Sequence, residues 1–264
     1  MKYYDIGLNL FCKQFHDPEA ILTHATAAGV SCILTGSDMH ENRRMAKFLP
    51  HHDVYGTCGI HPHNADSATD ADFAEMEKLI RSSSRFVAVG ECGLDYDRMF
   101  STMANQIRCL EKHIALAEKL SMPMFLHERS ASAAFAEVFR QHPEVCRRSV
   151  VHCFTGSREE LETYLDMGFS IGITGWICDE RRADALRDAV KILPLDRLML
   201  ETDAPYLTPR GIKGLGRVNV PENIVYVARS LAQYMGQPEE TVIAAAKANT
   251  ERFFGISGMK TEAQ

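Results

Sequence analysis

The chain has 264 residues, of which 45% are hydrophobic and 24% are charged, and its formal net charge is −6. This is the composition of an ordinary globular protein with a sizeable core, and no stretch approaches the roughly 20 apolar residues that cross a bilayer. An acidic chain has no general attraction for a polyanion, so a nucleic acid would have to be held locally or through a metal ion.

The eight cysteines contain no C-x-x-C pair, which excludes the usual zinc-ribbon pattern. The first residues, MKYYDIGLNLF, have neither the long apolar run nor the cleavage signal of a secretory signal peptide. These features predict a soluble cytoplasmic protein with reduced thiols and no membrane contact. No obligate protein partner is evident from the sequence.

Strand-like and helix-like segments alternate along the whole chain. The eight predicted strands are, in order, YYDIGLNL, VSCILTGS, DVYGTCGIHPH, FVAVGECGLD, MPMFLHE, SVVHCFTG, FSIGITGW and LMLETDAPYL. A segment with helical character follows each of them, as parallel strands joined by crossover helices require. Eight such units in this length predict a single (β/α)8 TIM barrel over 1–258, followed by a short polar tail at 259–264.

Four potential metal ligands stand at the ends of apolar runs of strand length. Glu91 follows FVAVG, His127 follows MFL, His152 follows VV, and Asp203 closes LMLETD. In a parallel barrel the C-terminal strand ends converge on one face, where active sites are built. Because carboxylates and neutral imidazoles are common metal ligands, we predict that the four meet around a divalent cation. Taken singly, each has a structural alternative, such as a salt bridge or a helix cap.

Three further polar residues are expected near this site. Strand alternation gives Glu201 the same direction as Asp203, so it would support the site from the layer below. His61 and His63 follow the third predicted strand in GIHPH. Pro62 interrupts the alternation between them, so contact with a substrate phosphate, or action as an acid, is preferred to metal ligation, and a purely structural role is the alternative.

The loop at 208–222, TPRGIKGLGRVNVPE, follows the eighth strand on the predicted active face. Its cations Arg210, Lys213 and Arg217 are candidates for binding a phosphodiester backbone. A solvated basic loop is the alternative of equal weight. Trp176 and Tyr206 lie near strand ends and could stack on a base, although core or rim packing is preferred for either one alone.

The chain resembles the TatD family of metal-dependent deoxyribonucleases, within the amidohydrolase-like metallo-barrels. The similarity extends from Tyr4 to Gly255 and rests on motifs in the family's order: DIGLNL at 5–10, GIHPH at 59–63, GECGLD at 90–95, HCFTG at 152–156, GITGW at 172–176 and ETDAPYL at 201–207. This resemblance implies a TIM barrel whose nuclease activity is supported by divalent cations.

The resemblance also implies roles for individual residues. The family's metal-binding glutamate corresponds to Glu91, its two metal-binding histidines to His127 and His152, and its catalytic, metal-associated aspartate to Asp203. After the fifth-strand histidine, relatives often have cysteine, whereas this chain has Glu128. The sequence assigns no role to Glu128.

The second metal of many relatives is not expected here. Those relatives begin D-x-H-x-H, and both histidines bind that second metal; in this chain the two positions are Gly7 and Asn9. The chain is therefore similar to the subgroup that lacks the pair, with one tight metal site and at most a weak second one. The mixed nitrogen and oxygen ligands suit Zn²⁺ or Mn²⁺, whereas the family's activity with Mg²⁺ indicates Mg²⁺, so all three remain candidates.

The resemblance implies hydrolysis of phosphodiester bonds in DNA, with exonucleolytic action on single strands or ends. The cation on Glu91, His127 and His152 would polarise a phosphoryl oxygen and lower the pKa of a water, and Asp203 would accept the proton of that water. One alternative is hydrolysis of another ester, such as a D-aminoacyl-tRNA deacylase, because fold does not determine chemistry. The other is a non-catalytic barrel with one structural metal, which would not need Asp203.

Overall fold

The computed structural model describes residues 2–256, and the predicted tail at 259–264 lies outside this range. Eight parallel strands form one sheet in the order of the sequence. Their bounds, β1 to β8, are Tyr3–Leu8, Val30–Leu34, Tyr55–Cys58, Phe86–Asp95, Met124–Arg129, Ser149–Val151, Ser170–Ile173 and Leu198–Leu200. Each coincides with one of the predicted apolar runs, and the prediction of a (β/α)8 barrel is confirmed.

Helices occupy the connections between the strands, as parallel pairing requires. Their bounds, α1 to α10, are Pro18–Ala27, Met39–Phe48, Asp70–Ser82, Met103–Leu120, Ser132–Phe139, Pro143–Cys146, Arg158–Met167, Asp184–Ala189, Ile224–Met235 and Glu239–Phe254. The sequence marks several of these starts. In α3, Thr69 and Asp72 form a reciprocal capping box, and Ser157 and Glu160 do the same in α7, which satisfies backbone N–H groups that have no partner within the helix.

The buried apolar side chains form two clusters. The larger one packs the strands against the surrounding helices. The smaller one takes residues from seven of the eight strands and from the C-terminal segment: Ile6, Ile33, Tyr55, Val87, Ala88, Phe125, Val150, Met199, Phe254 and Ile256. One cluster shared by nearly every strand is what a sheet curved around a common centre produces.

A buried side chain joins the first and last strands of the barrel. Between β1 and the segment after β8, the backbone of residues 2–256 contributes a single bridge, Leu8 to Ala204. The carboxylate of Asp5, fully buried, accepts hydrogen bonds from the backbone N–H of Thr202 at 2.8 Å and from the Thr202 hydroxyl. Because buried backbone donors must be satisfied, Asp5 supplies at the barrel seam what ladder hydrogen bonds supply elsewhere.

Candidate active site

An open cavity of about 870 Å³ lies at the C-terminal ends of the strands. Glu91 within β4, His127 within β5, His152 directly after β6 and Asp203 three residues after β8 all line it. The structure therefore brings together the four residues predicted as metal ligands. Glu91 was expected at the end of the fourth strand but lies within it: β4 continues to Asp95, the last residue of the predicted segment FVAVGECGLD, because the residues after Glu91 still pair with β5.

Three imidazoles surround one carboxylate oxygen at the centre of the cavity. Oε1 of Glu91 lies 2.8 Å from Nε2 of His152, 3.1 Å from Nδ1 of His127 and 3.3 Å from Nε2 of His61. Ligand atoms of His61, Glu91 and His127 all lie within 4.8 Å of one another. Nitrogen and carboxylate oxygen donors in so compact a group suit a divalent transition metal.

An unsatisfied nitrogen supports the same interpretation. Nε2 of His127 is buried and, among the described residues, has no hydrogen-bond partner. Oδ2 of Asp95 is 3.3 Å away, but in a geometry that does not make a hydrogen bond. Because buried polar atoms are normally paired, this nitrogen calls for a partner that the protein does not itself provide. A divalent cation would satisfy this nitrogen, and it fits the donor set around it.

Glu201 supports the site from below, at the location that strand alternation predicted. Its side chain is fully buried, and its Oε2 lies 3.3 Å from Nδ1 of His152. Its other oxygen accepts a hydrogen bond from the backbone N–H of Cys153. Since Nε2 of His152 faces Glu91, both ring nitrogens are held by carboxylates, which determines the orientation of the imidazole.

Two glycines leave room for the Glu201 carboxylate. A Cβ atom at Gly7 would lie 2.5 Å from Oε2 of Glu201, and a Cβ atom at Gly172 would lie 2.4 Å from Oε1. Both distances are shorter than real Cβ contacts, so a side chain at either position would push the carboxylate from its present place. The bare backbone of Gly7 thus lets Glu201 approach β1.

The charges of this cluster depend on one another. Burial alone would raise the pKa of Glu91, but the facing imidazoles of His61 and His152 outweigh burial and hold the pKa well below its usual range. Burial alone would lower the pKa of His152, but the charges of Glu91 and Glu201 outweigh it and raise the pKa well above its usual value. Without metal, His152 is thus an imidazolium between two carboxylates.

His61 has the opposite protonation state. Burial lowers its pKa to about 4, so its imidazole is neutral at neutral pH. A neutral imidazole can donate its one N–H to a phosphate oxygen or ligate a metal, but it lacks the extra proton of an imidazolium that an acid would give up. In the metal-free protein this argues against the predicted role of His61 as an acid and leaves ligation or contact with a phosphate.

Asp203 is held by a residue of the segment after β1. Nδ2 of Asn9 donates a hydrogen bond to Oδ1 of Asp203 at 2.8 Å. The backbone of Asp203 has a φ of 54°, in the left-handed region that costs a non-glycine residue about 1 kcal/mol and that recurs at functional sites. Burial, partly offset by His152, raises its pKa to about 7. A carboxyl group that titrates near neutrality is well suited to exchanging protons with water.

Asp95 is a site residue that the sequence analysis missed. Its Oδ2 lies 2.7 Å from Nε2 of His63, so Asp95 holds the histidine that was predicted to contact substrate. The signal was available: Glu91, Gly93 and Asp95 alternate along β4, and alternate strand residues share a face. Asp95 closes the predicted strand FVAVGECGLD, but only Glu91, which follows the apolar run FVAVG, was taken as a site residue of that strand.

Glu128 has a structural role, although it too lines the cavity. Its carboxylate accepts hydrogen bonds from the backbone N–H of Ala131 at 2.7 Å and from the Tyr164 hydroxyl at 2.8 Å. These bonds hold the start of α5 and connect it to α7. The Glu128 carboxylate is therefore hydrogen-bonded to other groups of the protein.

The predicted substrate-binding residues lie in two neighbouring cavities. His61, His63, Trp176 and Tyr206 line the active cavity. Arg210 and Arg217 line a second cavity of about 610 Å³ formed largely by the loop after β8. Lys213 is exposed on the same loop. The basic loop is thus beside the metal-ligand cluster instead of over it.

Comparison with known proteins identifies the family. Residues 4–255, nearly the entire chain, match the family model described as TatD related DNase. The chain belongs to the TatD related DNase family. Two proteins named 3'-5' ssDNA/RNA exonuclease TatD are similar over their full lengths. The one from Musicola paradisiaca is 41% identical, covering 98% of this chain and 100% of that protein; the one from Citrobacter rodentium is 39% identical, covering 96% and 98%.

A solved structure shares the fold of this TatD family member. The crystal structure of YJJV, a TatD homologue from Escherichia coli K12, matches with a TM-score of 0.88 at 28% identity and covers 96% of this chain and 98% of that one. The predicted family and the predicted enzyme class, a nuclease hydrolysing phosphodiester bonds, are thereby confirmed. Within the described residues, every helix is too short or too polar to span a membrane.

Proposed function

We propose that this chain is a metal-dependent exonuclease that hydrolyses phosphodiester bonds of single-stranded nucleic acid, with DNA as its principal substrate. The observation that carries the proposal is the carboxylate oxygen of Glu91 within 3.3 Å of three imidazole nitrogens, in a cavity open to a polymer. The names of the full-length relatives, 3'-5' ssDNA/RNA exonuclease TatD, support the direction of digestion and the preference for single strands.

Glu91, His127 and His152 would hold the cation, with Asp203 completing the set. When bound, a divalent cation supplies Lewis-acid polarisation of a phosphoryl oxygen and lowers the pKa of water. Gly7 removes a nitrogen donor from β1, which supports one tight site and at most a weak second one. Mg²⁺, Mn²⁺ and Zn²⁺ are the candidate ions.

The remaining polar groups of the cavity would position the water and the substrate. Asp203 accepts the proton of the attacking water, and its hydrogen bond to Asn9 aims one oxygen while the other stays available. His63, held by Asp95, and His61 contact the scissile phosphate or its neighbour. The cations Arg210, Lys213 and Arg217 bind the backbone farther along the strand.

All eight cysteines are unpaired, which supports a cytoplasmic location with reduced thiols.

Hydrolysis of end-labelled single-stranded DNA, double-stranded DNA and RNA across a series of Mg²⁺, Mn²⁺ and Zn²⁺ tests this function. We expect stepwise shortening of single strands from the 3' end. Asp203→Asn should retain the metal, measured by elemental analysis, and lose the rate, whereas His127→Ala and His152→Ala should lose both with the fold intact by circular dichroism. Inert nucleic acids combined with hydrolysis of an aminoacyl-tRNA ester would instead support an esterase.

A further inference from the structure

The second cavity shares a wall with the active cavity. Trp176, Arg182 and Leu207 line both of them. The rest of the second cavity is formed by the segment after β7 and by the loop at 207–217. Its volume of about 610 Å³ lies within the range of pockets that bind organic ligands, roughly 300–1,000 Å³. The second cavity is therefore large enough for part of a polymer that extends across this wall from the active cavity.

A buried carboxylate gathers three arginines at the same place. The side chain of Asp179 is 4% exposed. It accepts hydrogen bonds from Arg181 at 2.9 and 2.8 Å and from Arg182 at 3.2 and 3.1 Å, and Nε of Arg210 lies 3.4 Å from its Oδ2. Three guanidinium groups against one carboxylate leave two positive charges unbalanced within the cluster. The chain has a net charge of −6, so this cluster is a locally positive region of an acidic protein.

The arginines at this wall are ordered before any ligand arrives. The guanidinium of Arg182 lies over the Trp176 ring, 4.1 Å from its centre, while Asp179 holds its Nε and one terminal nitrogen. Its side chain nevertheless remains half exposed, as does that of Arg210. A guanidinium has five N–H donors, so each arginine keeps donors for a ligand. A group ordered in advance loses less entropy on binding.

Building on the proposed nuclease function, we propose that the second cavity is a subsite for backbone phosphates beyond the scissile bond. Arg182 and Arg210 donate to those phosphates, because a planar guanidinium matches the geometry of phosphate oxygens. Asp179 is a positioning residue that keeps both arginines at the wall. The subsite makes affinity depend on the length of the strand: short substrates occupy the active cavity alone, and longer ones reach both cavities.

A ladder of single-stranded oligothymidylates, from dinucleotide to dodecamer, tests the subsite by kcat/KM at each length. For the wild type, kcat/KM should rise by about tenfold for each phosphate bound once the strand reaches the second cavity. In Arg182→Gln/Arg210→Gln the ratio between long and short substrates should fall towards one. The log–log salt dependence of binding should flatten by about 0.7 for each phosphate that the variant no longer binds. The matched control Arg140→Gln/Arg229→Gln removes the same charge from the end of α5 and from α9 and should keep the wild-type ratio.

Asp179→Asn separates an organised subsite from general electrostatic attraction. This substitution makes the protein more positive, so attraction alone would tighten the binding of long strands. If Asp179 positions the arginines, the ratio should fall instead. Fluorescence anisotropy of a labelled dodecamer without metal measures binding apart from hydrolysis, so loss of the proposed nuclease function and loss of the subsite are distinguishable. Circular dichroism checks the fold, and if Asp179→Asn is unfolded the arginine pair decides.

An unchanged ratio in Arg182→Gln/Arg210→Gln, or a wild type without any dependence on length, would overturn the subsite. Tighter binding of the dodecamer by Asp179→Asn would overturn the positioning role of the carboxylate.

Discussion

Oε2 of Glu201 lies 3.3 Å from Nδ1 of His152, while the other nitrogen of that ring faces Glu91 at 2.8 Å. The imidazole is therefore held between two carboxylates, one in the open cavity and one buried beneath it. Such a partner fixes the tautomer of a ligating histidine and raises its basicity. His152 would therefore contact the metal, whereas Glu201 orients the imidazole ring of His152.

Glu201→Gln should weaken metal binding and activity by about 10- to 100-fold, because Nδ1 of His152 loses its charged partner. Titration calorimetry of the metal checks the affinity. Glu128→Gln is the matched control, since Glu128 lines the same cavity but bonds to Ala131 and Tyr164. Equal metal affinity in the wild type and in Glu201→Gln would show that the ring is oriented by something else.

Metal binding should release at least one proton at neutral pH, that of His152, with further protons from His127, whose pKa the carboxylates of Asp95 and Glu91 raise against burial, and from Asp203, whose pKa is about 7. The flanking carboxylates raise the pKa of His152, so its imidazole is protonated in the free protein and must become neutral to ligate. As the pH falls, the proton competes better and metal affinity decreases. Calorimetry in buffers with different ionisation enthalpies counts the protons. A binding enthalpy that does not depend on the buffer would contradict this protonation state.

Asn9→Ala should move the acidic limb of the kcat/KM profile to higher pH by about one unit. The Asn9 hydrogen bond stabilises the ionised form of Asp203, so its loss raises the pKa of that carboxyl, by an amount equivalent to a charged hydrogen bond of about 1.4 kcal/mol. Rates at high pH, where Asp203 is ionised in both proteins, should converge. Parallel profiles with a constant offset would mean that Asn9 acts on something other than the ionisation of Asp203.

Asp5→Ala should destabilise the fold by about 1–3 kcal/mol, because the buried N–H of Thr202 loses its acceptor. Asp5→Asn should retain most of the stability, since an amide oxygen can still accept that hydrogen bond. Chemical denaturation followed by circular dichroism measures both. Equal stability of Asp5→Ala and the wild type would show that the backbone bridge alone closes the barrel.

The sequence predicted the positions of the candidate ligands because strand ends in a parallel barrel share one face. Glu91, His127 and His152 could be placed there from their apolar runs alone, and Glu201 from simple alternation. Asp95 was missed although the predicted fourth strand included it. The apolar run FVAVG ends at Glu91, and the pairing of the following residues with β5 extends the strand to Asp95.

The second cavity could not be predicted in the same way. Asp179 looks like any acidic residue in the segment CDERR, and its burial follows from how the segment after β7 packs against the loop after β8. The cationic character of the loop was recognised, but its relation to the metal-ligand cluster was not. Arg210 and Arg217 line the neighbouring cavity and not the active one. Their position depends on the conformation of the loop, and a loop has no sequence periodicity from which that conformation could be predicted.

The hydrogen bonds between Thr202 and Asp5 place the seam of the barrel inside the tripeptide Glu201–Thr202–Asp203, in which Glu201 lies against His152 and Asp203 lines the active cavity. The middle residue connects β1 to the rest of the molecule, while its two neighbours are the residues proposed to orient His152 and to accept a proton from water. Local unfolding of the N-terminal strand should therefore inactivate the enzyme before the whole protein unfolds. On heating, activity should be lost at a lower temperature than helical structure. Proteolytic removal of the first few residues should likewise abolish hydrolysis, although the protease would not enter the cavity.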